Sequence, residues 1–110
     1  MQYMRVIEYL NRDETSPYAD WFNGLDAQAA TKVTTALTRM EQGNLSNVKS
    51  VGGGVFENHL NFGAGYRIYF GKDGDTIIIL LGGGTKRRQQ KDIDAAKARW
   101  QEYKRRKKKG

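Results

Sequence analysis

The sequence predicts a single α+β domain. It is an antiparallel meander with a helical hairpin on one face and a C-terminal helix, in the order β-αα-β-β-β-α. Three observations predict it. Apolar residues recur at helical spacing between residues 26 and 43 and again beyond residue 89, but alternate between residues 55 and 70. Asp73-Gly74 separates the apolar runs YRIYF and TIIILL, as the centre of a tight hairpin does. Ser16-Pro17 and Asp26 stand where helices begin, and no linker-like stretch divides the chain.

Taken in order, Tyr3 to Leu10 is β-leaning, with Tyr3, Val6, Ile7 and Tyr9 among polar neighbours. This strand is expected at a sheet edge beside TIIILL. SPYADWF starts a helix, with Ser16 as N-cap, Pro17 at the first helical position and Asp20 in the first turn. Asp26 caps a second helix, whose Ala29, Ala30, Val33, Ala36, Leu37 and Met40 share a face and whose C-terminal stop is Gly43. After NLSNVKSVGGG the period becomes 2. In VFENHLNF, Phe56, Leu60 and Phe62 lie on a greasy face, with Asn58 as its polar exception, opposite Glu57, His59 and Asn61. Beyond the GAG turn, Tyr66, Ile68 and Phe70 share a face opposite Arg67 and Tyr69. TIIILL is apolar throughout, as a central strand is. The last helix begins near Gln89 and carries a core stripe of Ile93, Ala96, Trp100 and Tyr103. The two GGG runs, 52–54 and 82–84, fit no nucleotide-binding fingerprint and read as bends where strands end.

The chain has 110 residues, enough for one modest core. Residues 1–103 are read as the domain and 104–110 as a basic tail. With no cysteine, disulfide scaffolds and thiolate metal sites are excluded. The longest apolar run, Ile77 to Leu81, is far too short for a bilayer, and MQYMRVIEYL lacks signal-peptide order, so a cytoplasmic protein is expected, with no membrane partner. The net charge of +7 is unevenly placed. Residues 1–83 hold 7 Lys/Arg against 9 Asp/Glu, and residues 84–110 hold 12 against 3. Such an end attracts polyanions, nucleic acid above all.

The expected polar face carries Glu57, His59, Asn61, Arg67 and Tyr69, with TKRRQQK at its rim. These are the ingredients for a phosphodiester. Arg67 can hold a phosphate bidentately. Tyr69 offers a stacking surface for an unpaired base, and Lys86, Arg87, Arg88 and Lys91 offer positive charge. His59, the only histidine, carries an imidazole that can move protons. RNA brings its own nucleophile, the 2′-OH, so no metal or cofactor is called for. The plainer readings stand beside this one: His59 as a solvated strand residue, and Arg67 as the cross-strand ion partner of Glu57.

These residues also carry a resemblance. The segments ADWFNGLD, LTRMEQGN, VKSVGGGVFE, GAGYRIYF and LLGGGTKRRQQKDIDAAKARW span nearly the whole chain. It resembles the RelE/ParE superfamily of toxins from type II toxin–antitoxin modules, in the HigB-like, phage-associated "addiction module killer" branch. The resemblance implies the same element order. It also implies a small endoribonuclease that cleaves mRNA, often on the ribosome, and is silenced by a cognate antitoxin of helix-turn-helix type. By this likeness, Arg67 matches the transition-state arginine of the GYR strand, Arg87 the second catalytic arginine, and Lys86 the lysine before it. Glu57 and His59 fall where RelE carries two strand lysines, and Ile93 stands where its pattern has a catalytic tyrosine. His59, then Glu57, are the natural substitutes as acid and base. Two other readings share the same sequence: a ParE-like toxin that binds DNA gyrase without chemistry of its own, and a non-catalytic nucleic-acid-binding module.

Overall fold

The computed structural model describes residues 3–109. The outer ends of the expected domain and tail, residues 1, 2 and 110, lie outside the described residues. Five strands and three helices form three layers, with the sheet in the middle. The strands are β1 (Arg5–Glu8), β2 (Val48–Gly52), β3 (Val55–His59), β4 (Arg67–Asp73) and β5 (Ile77–Gly84). The helices are α1 (Pro17–Asn23), α2 (Ala27–Glu41) and α3 (Gln89–Lys109), the last entered through a short 3-10 turn at Lys86–Arg88.

The spatial order is β1-β5-β4-β3-β2. β2 to β5 are an antiparallel meander, and β1 joins beside β5 as expected, in parallel, with Val6 opposite Ile78. The caps behave as read. Ser16 Oγ accepts from the Ala19 N–H at 3.0 Å, and Asp26 Oδ1 from the Ala29 N–H at 2.8 Å, each satisfying an orphan donor of a first turn.

The α1–α2 hairpin covers one face of the sheet. Tyr18, Val33 and Met40 bury against Ile68, Phe70, Ile78 and Leu80 there. Full burial of a side chain of that size contributes about 1.5–3 kcal/mol.

Four features differ from the sequence reading. The element order gains a strand: Val48–Gly52, read as connection, pairs with β3, so the order is β-αα-β-β-β-β-α. With only Val48 and Val51 as apolar residues and exposed neighbours, this edge strand has too little pattern to announce itself. The run Gly82–Gly84 is no bend but the end of β5, where absent side chains let Trp21 of α1 lie on Gly83 and Asp92 of α3 lie at Gly84. The face expected to be open is covered. Ile93, Ala96 and Trp100 of α3 bury against Val55, Tyr69, Ile79 and Leu81, because a helix with an apolar stripe needs an apolar surface and this is the one remaining. Finally, Lys104 to Lys109 continue α3 instead of trailing from it. Arg106 reaches back to the Leu10 carbonyl at 2.6 Å and the Tyr9 hydroxyl at 3.2 Å, and Lys107 pairs with Asp73. Among the described residues, no helix is long and apolar enough to cross a membrane.

Candidate functional site

Three chain segments meet at the end of the sheet where β4 begins. Arg67, the first residue of β4, lies in register between His59, the last of β3, and Gly84, the last of β5. The connection between β3 and β4 closes tightly, with the Leu60 N–H donating to the Tyr66 carbonyl at 2.8 Å and the Gly65 N–H to that of Phe62 at 3.1 Å. The 3-10 turn is tied to this connection, because the Lys86 N–H donates to the Ala64 carbonyl at 3.3 Å.

Gly65 is the hub of the arrangement. Its φ of +74° is a left-handed conformation that suits glycine, and a Cβ there would also find little room. It would lie 3.3 Å from Arg67 Nη1, 3.6 Å from Lys86 Cβ and 3.8 Å from His59 Nε2. Arg67, Lys86 and His59 are thus gathered within reach of one small volume.

Beneath them Glu57 is fully buried, while Arg67 is 8% exposed. Arg67 Nη1 donates to the Gly65 carbonyl at 2.6 Å, and its Nε lies 3.6 Å from Glu57 Oε2. Lys49 Nζ is 3.7 Å from the same oxygen, and Gln89 Nε2 donates to Glu57 Oε1 at 3.4 Å. Glu57 is therefore a buried anion held between two cations and an amide. Burial of such a group demands partners of this kind. Tyr69, opposite Glu57 in the β3–β4 ladder, has its phenol pushed up to about 12, by burial first and then by the Glu57 charge, against the pull of Arg67. Burial also raises the Asp92 carboxyl, opposed by Arg88 and Arg99.

Of the residues singled out in the sequence, the structure brings together Arg67, His59, Lys86 and Glu57. Arg87, Arg88 and Lys91 are exposed beside them; Arg88 lies in the field of Asp92, and neither Arg87 nor Lys91 has an ion-pair partner among the described residues. Tyr69 is corrected. Its ring has no exposure and lies in the core under α3, so it offers no surface to a base. The cross-strand reading of Arg67 also holds, since its ion pair with Glu57 is present. Sequence reasoning missed Gln89, Lys49 and Gly65. Lys49 lies directly opposite Glu57 in a strand that had not been read as one. Gly65 was legible in principle as a glycine placed two residues before the arginine.

A family model described as "Phage derived protein Gp49-like (DUF891)" matches residues 20–101, about three quarters of the chain. An uncharacterized protein of Haemophilus influenzae is 37% identical over 89 residues, covering 80% of this chain and 90% of that one.

Proposed function

The chain belongs to the Gp49-like phage-derived protein family, of the RelE/toxin-like addiction module killers, and from that premise we propose that it is a HigB-like, RelE-fold toxin that cleaves mRNA without a metal. The observation that carries this reading is the gathering of Arg67, Lys86 and His59 around Gly65. A scissile phosphate set over Gly65 meets the Arg67 guanidinium and the His59 imidazole, and Lys86, rooted beside them by its Cβ, is within a side chain's length of it.

The reaction class follows from those groups. The ribose 2′-oxygen attacks the adjacent phosphorus, and its proton passes to the His59 imidazole. The bond from phosphorus to the 5′-oxygen breaks, and that oxygen takes a proton from solvent. The products are a 2′,3′-cyclic phosphate and a 5′-OH. Arg67 and Lys86 hold the anionic phosphorane, with Arg87 supplying further charge at the rim. Glu57 is sealed from substrate by its burial; its role is to hold Arg67 in place. Ile93 is buried in the α3 core, so the acid and base of this chain come from elsewhere than that position. The partners under this reading are mRNA, presented free or on the ribosome, and a cognate antitoxin.

Brief induction followed by mapping of new RNA 5′ ends tests the reading. Cuts bearing 5′-OH ends, phased to codons if the ribosome presents the mRNA, are expected. Intact mRNA accompanied by relaxed or broken DNA would overturn it in favour of gyrase binding.

A further inference from the structure

Beyond the cleavage site, one flank of α3 is lined with cations that the mechanism does not use. Lys97, Lys104 and Lys108 recur at intervals of seven and four residues, which stacks them along one side of the helix. That side borders the β2–β3 hairpin. The stem of Lys97 lies over Gly52 and Gly53, where a Cβ would be 3.3 Å from Lys97 Nζ at the first and 3.5 Å from Lys97 Cδ at the second. Lys104 Nζ sits 5.9 Å from the centre of the Trp100 ring, and Lys104 and Lys108 edge a groove floored by Trp100 and Tyr103. Lys97, Lys104 and Lys108 have no ion-pair partner among the described residues. The carboxylate at neighbouring helical spacing, Asp94, accepts from Gln90 at 2.9 Å.

The opposite flank differs. There Arg105 and Arg106 are spent on Glu102, at 2.6 and 3.1 Å, with Arg12 at 3.8 Å from the same carboxylate. The two flanks carry similar numbers of cations, yet on the second the arginines are paired with Glu102 and Lys109 alone is without an ion-pair partner, whereas all three lysines of the first lack one among the described residues. The N-terminal end of the same helix lies at the cleavage site, where Gln89 Nε2 donates to Glu57 Oε1 at 3.4 Å and Lys86, just before it, flanks Gly65.

We infer that the Lys97–Lys104–Lys108 flank is a docking track for the phosphate backbone of a single RNA strand whose scissile bond lies at Arg67; this rests on the endoribonuclease reading. The spacing suits the occupant. From Gln89 to Lys108 the helix runs about 28 Å at 1.5 Å per residue, or about eight nucleotides at 3.4 Å each. Ammonium groups on stems that are exposed at Lys104 and Lys108 and half-buried at Lys97, without an apolar anchor beyond the Trp100–Tyr103 groove, fit a repeating phosphate better than a folded protein surface.

The test uses the full-length protein and a 2′-O-methyl RNA that cannot be cleaved, so binding is read apart from chemistry. Affinity is measured against salt and oligonucleotide length for the native protein and two triple variants. Lys97→Gln/Lys104→Gln/Lys108→Gln removes the track; Arg12→Gln/Arg105→Gln/Lys109→Gln removes the same charge from the other flank. The track variant is expected to bind about tenfold more weakly and to lower the salt slope by about 2, near 0.7 per lost phosphate contact. It should also lose the gain in affinity seen between four and about eight nucleotides, the length set by the helix rise. The control should bind as the native protein does. Equal losses in both variants, an unchanged track variant, or no native binding would overturn the track. So would a track variant that binds RNA normally but no longer holds a co-expressed acidic protein partner. If the native protein binds in this pattern yet leaves unmodified RNA intact, the track stands and the nuclease reading fails.

Discussion

Glu57 lies under α3 with its Oε2 3.6 Å from Arg67 Nε, and neither atom has a hydrogen-bond partner among the described residues. The pair is an ion pair of buried groups rather than a surface decoration, so its two halves fail differently. Arg67→Ala leaves a buried carboxylate with Lys49 and Gln89 alone, and a stability loss of about 3 kcal/mol is expected, in line with the breaking of buried pairs. Arg67→Lys keeps the charge and is expected to cost about 1 kcal/mol, the worth of a lost hydrogen bond to the Gly65 carbonyl. Cleavage should fall about 100- to 1000-fold in both, since an ammonium cannot reproduce the guanidinium fork. Urea unfolding and cleavage rates on the same samples check the split. Full toxicity of Arg67→Ala would remove Arg67 from the chemistry.

Gly65 is a second point of leverage. Gly65→Ala must adopt φ near +74° and place a methyl 3.3 Å from Arg67 Nη1. A stability loss of about 1–2 kcal/mol is expected from the backbone alone. The methyl also intrudes where the phosphate is to sit, so cleavage should drop further than stability accounts for. Cleavage equal to native, in a variant shown to be folded, would move the site away from Gly65.

Tyr69 gives a prediction of opposite sign. Its hydroxyl is buried and unpartnered, so Tyr69→Phe should leave stability unchanged or raise it by about 1 kcal/mol. RNA affinity should not move, because the ring is out of reach of a base. The substitution also has a signature in pH. The folded phenol sits at about 12 against an ordinary 10.0, as do those of Tyr18 and Tyr103, so the unfolded chain loses these protons first. The stability they contribute is complete below pH 10 and is lost between pH 10 and about 12. Tyr69→Phe should flatten part of that alkaline loss, measured as the urea midpoint against pH. An unchanged slope would mean that Tyr69 ionises as freely folded as unfolded.

How much of this was legible in the residues depends on which force set each feature. The capped helices, the Asp73-Gly74 hairpin and the apolar β5 are fixed locally, and Ser16, Asp26 and Ile77–Leu81 announced them. The covered face was not legible, because alternation at Glu57, His59 and Asn61 reads as solvent exposure unless the partner helix is in place. The stripe on α3 was seen as core, but nothing in the chain says against which face it lies. Glu57 and Arg67 look like surface residues by type and are buried only because each supplies the other's charge. Of the candidate site, the arginine, the lysine and the histidine were visible as types, whereas their common hub at Gly65 emerges only from the fold.

What seats α3 on that face is the contact between Trp100 and Gly71, and it can be tested directly. A Cβ on Gly71 would lie 2.5 Å from Trp100 Cε3 and Cζ3, and one on Gly54 would lie 2.7 Å from Nε1. β4 is bare at Gly71, as is the turn into β3 at Gly54, and the indole, 6% exposed, fills the space. Gly71→Ala should therefore cost about 1–3 kcal/mol, the penalty of overpacking, and Trp100→Ala about 3–5 kcal/mol, the penalty of a large cavity. Because the two residues touch, their effects should not add. In Trp100→Ala the extra methyl of Gly71→Ala has room, and the double variant is expected to be no less stable than Trp100→Ala alone. Urea unfolding of the four proteins closes the cycle. Additive losses would mean that Trp100 does not rest on Gly71, and that α3 is held to the sheet by other contacts.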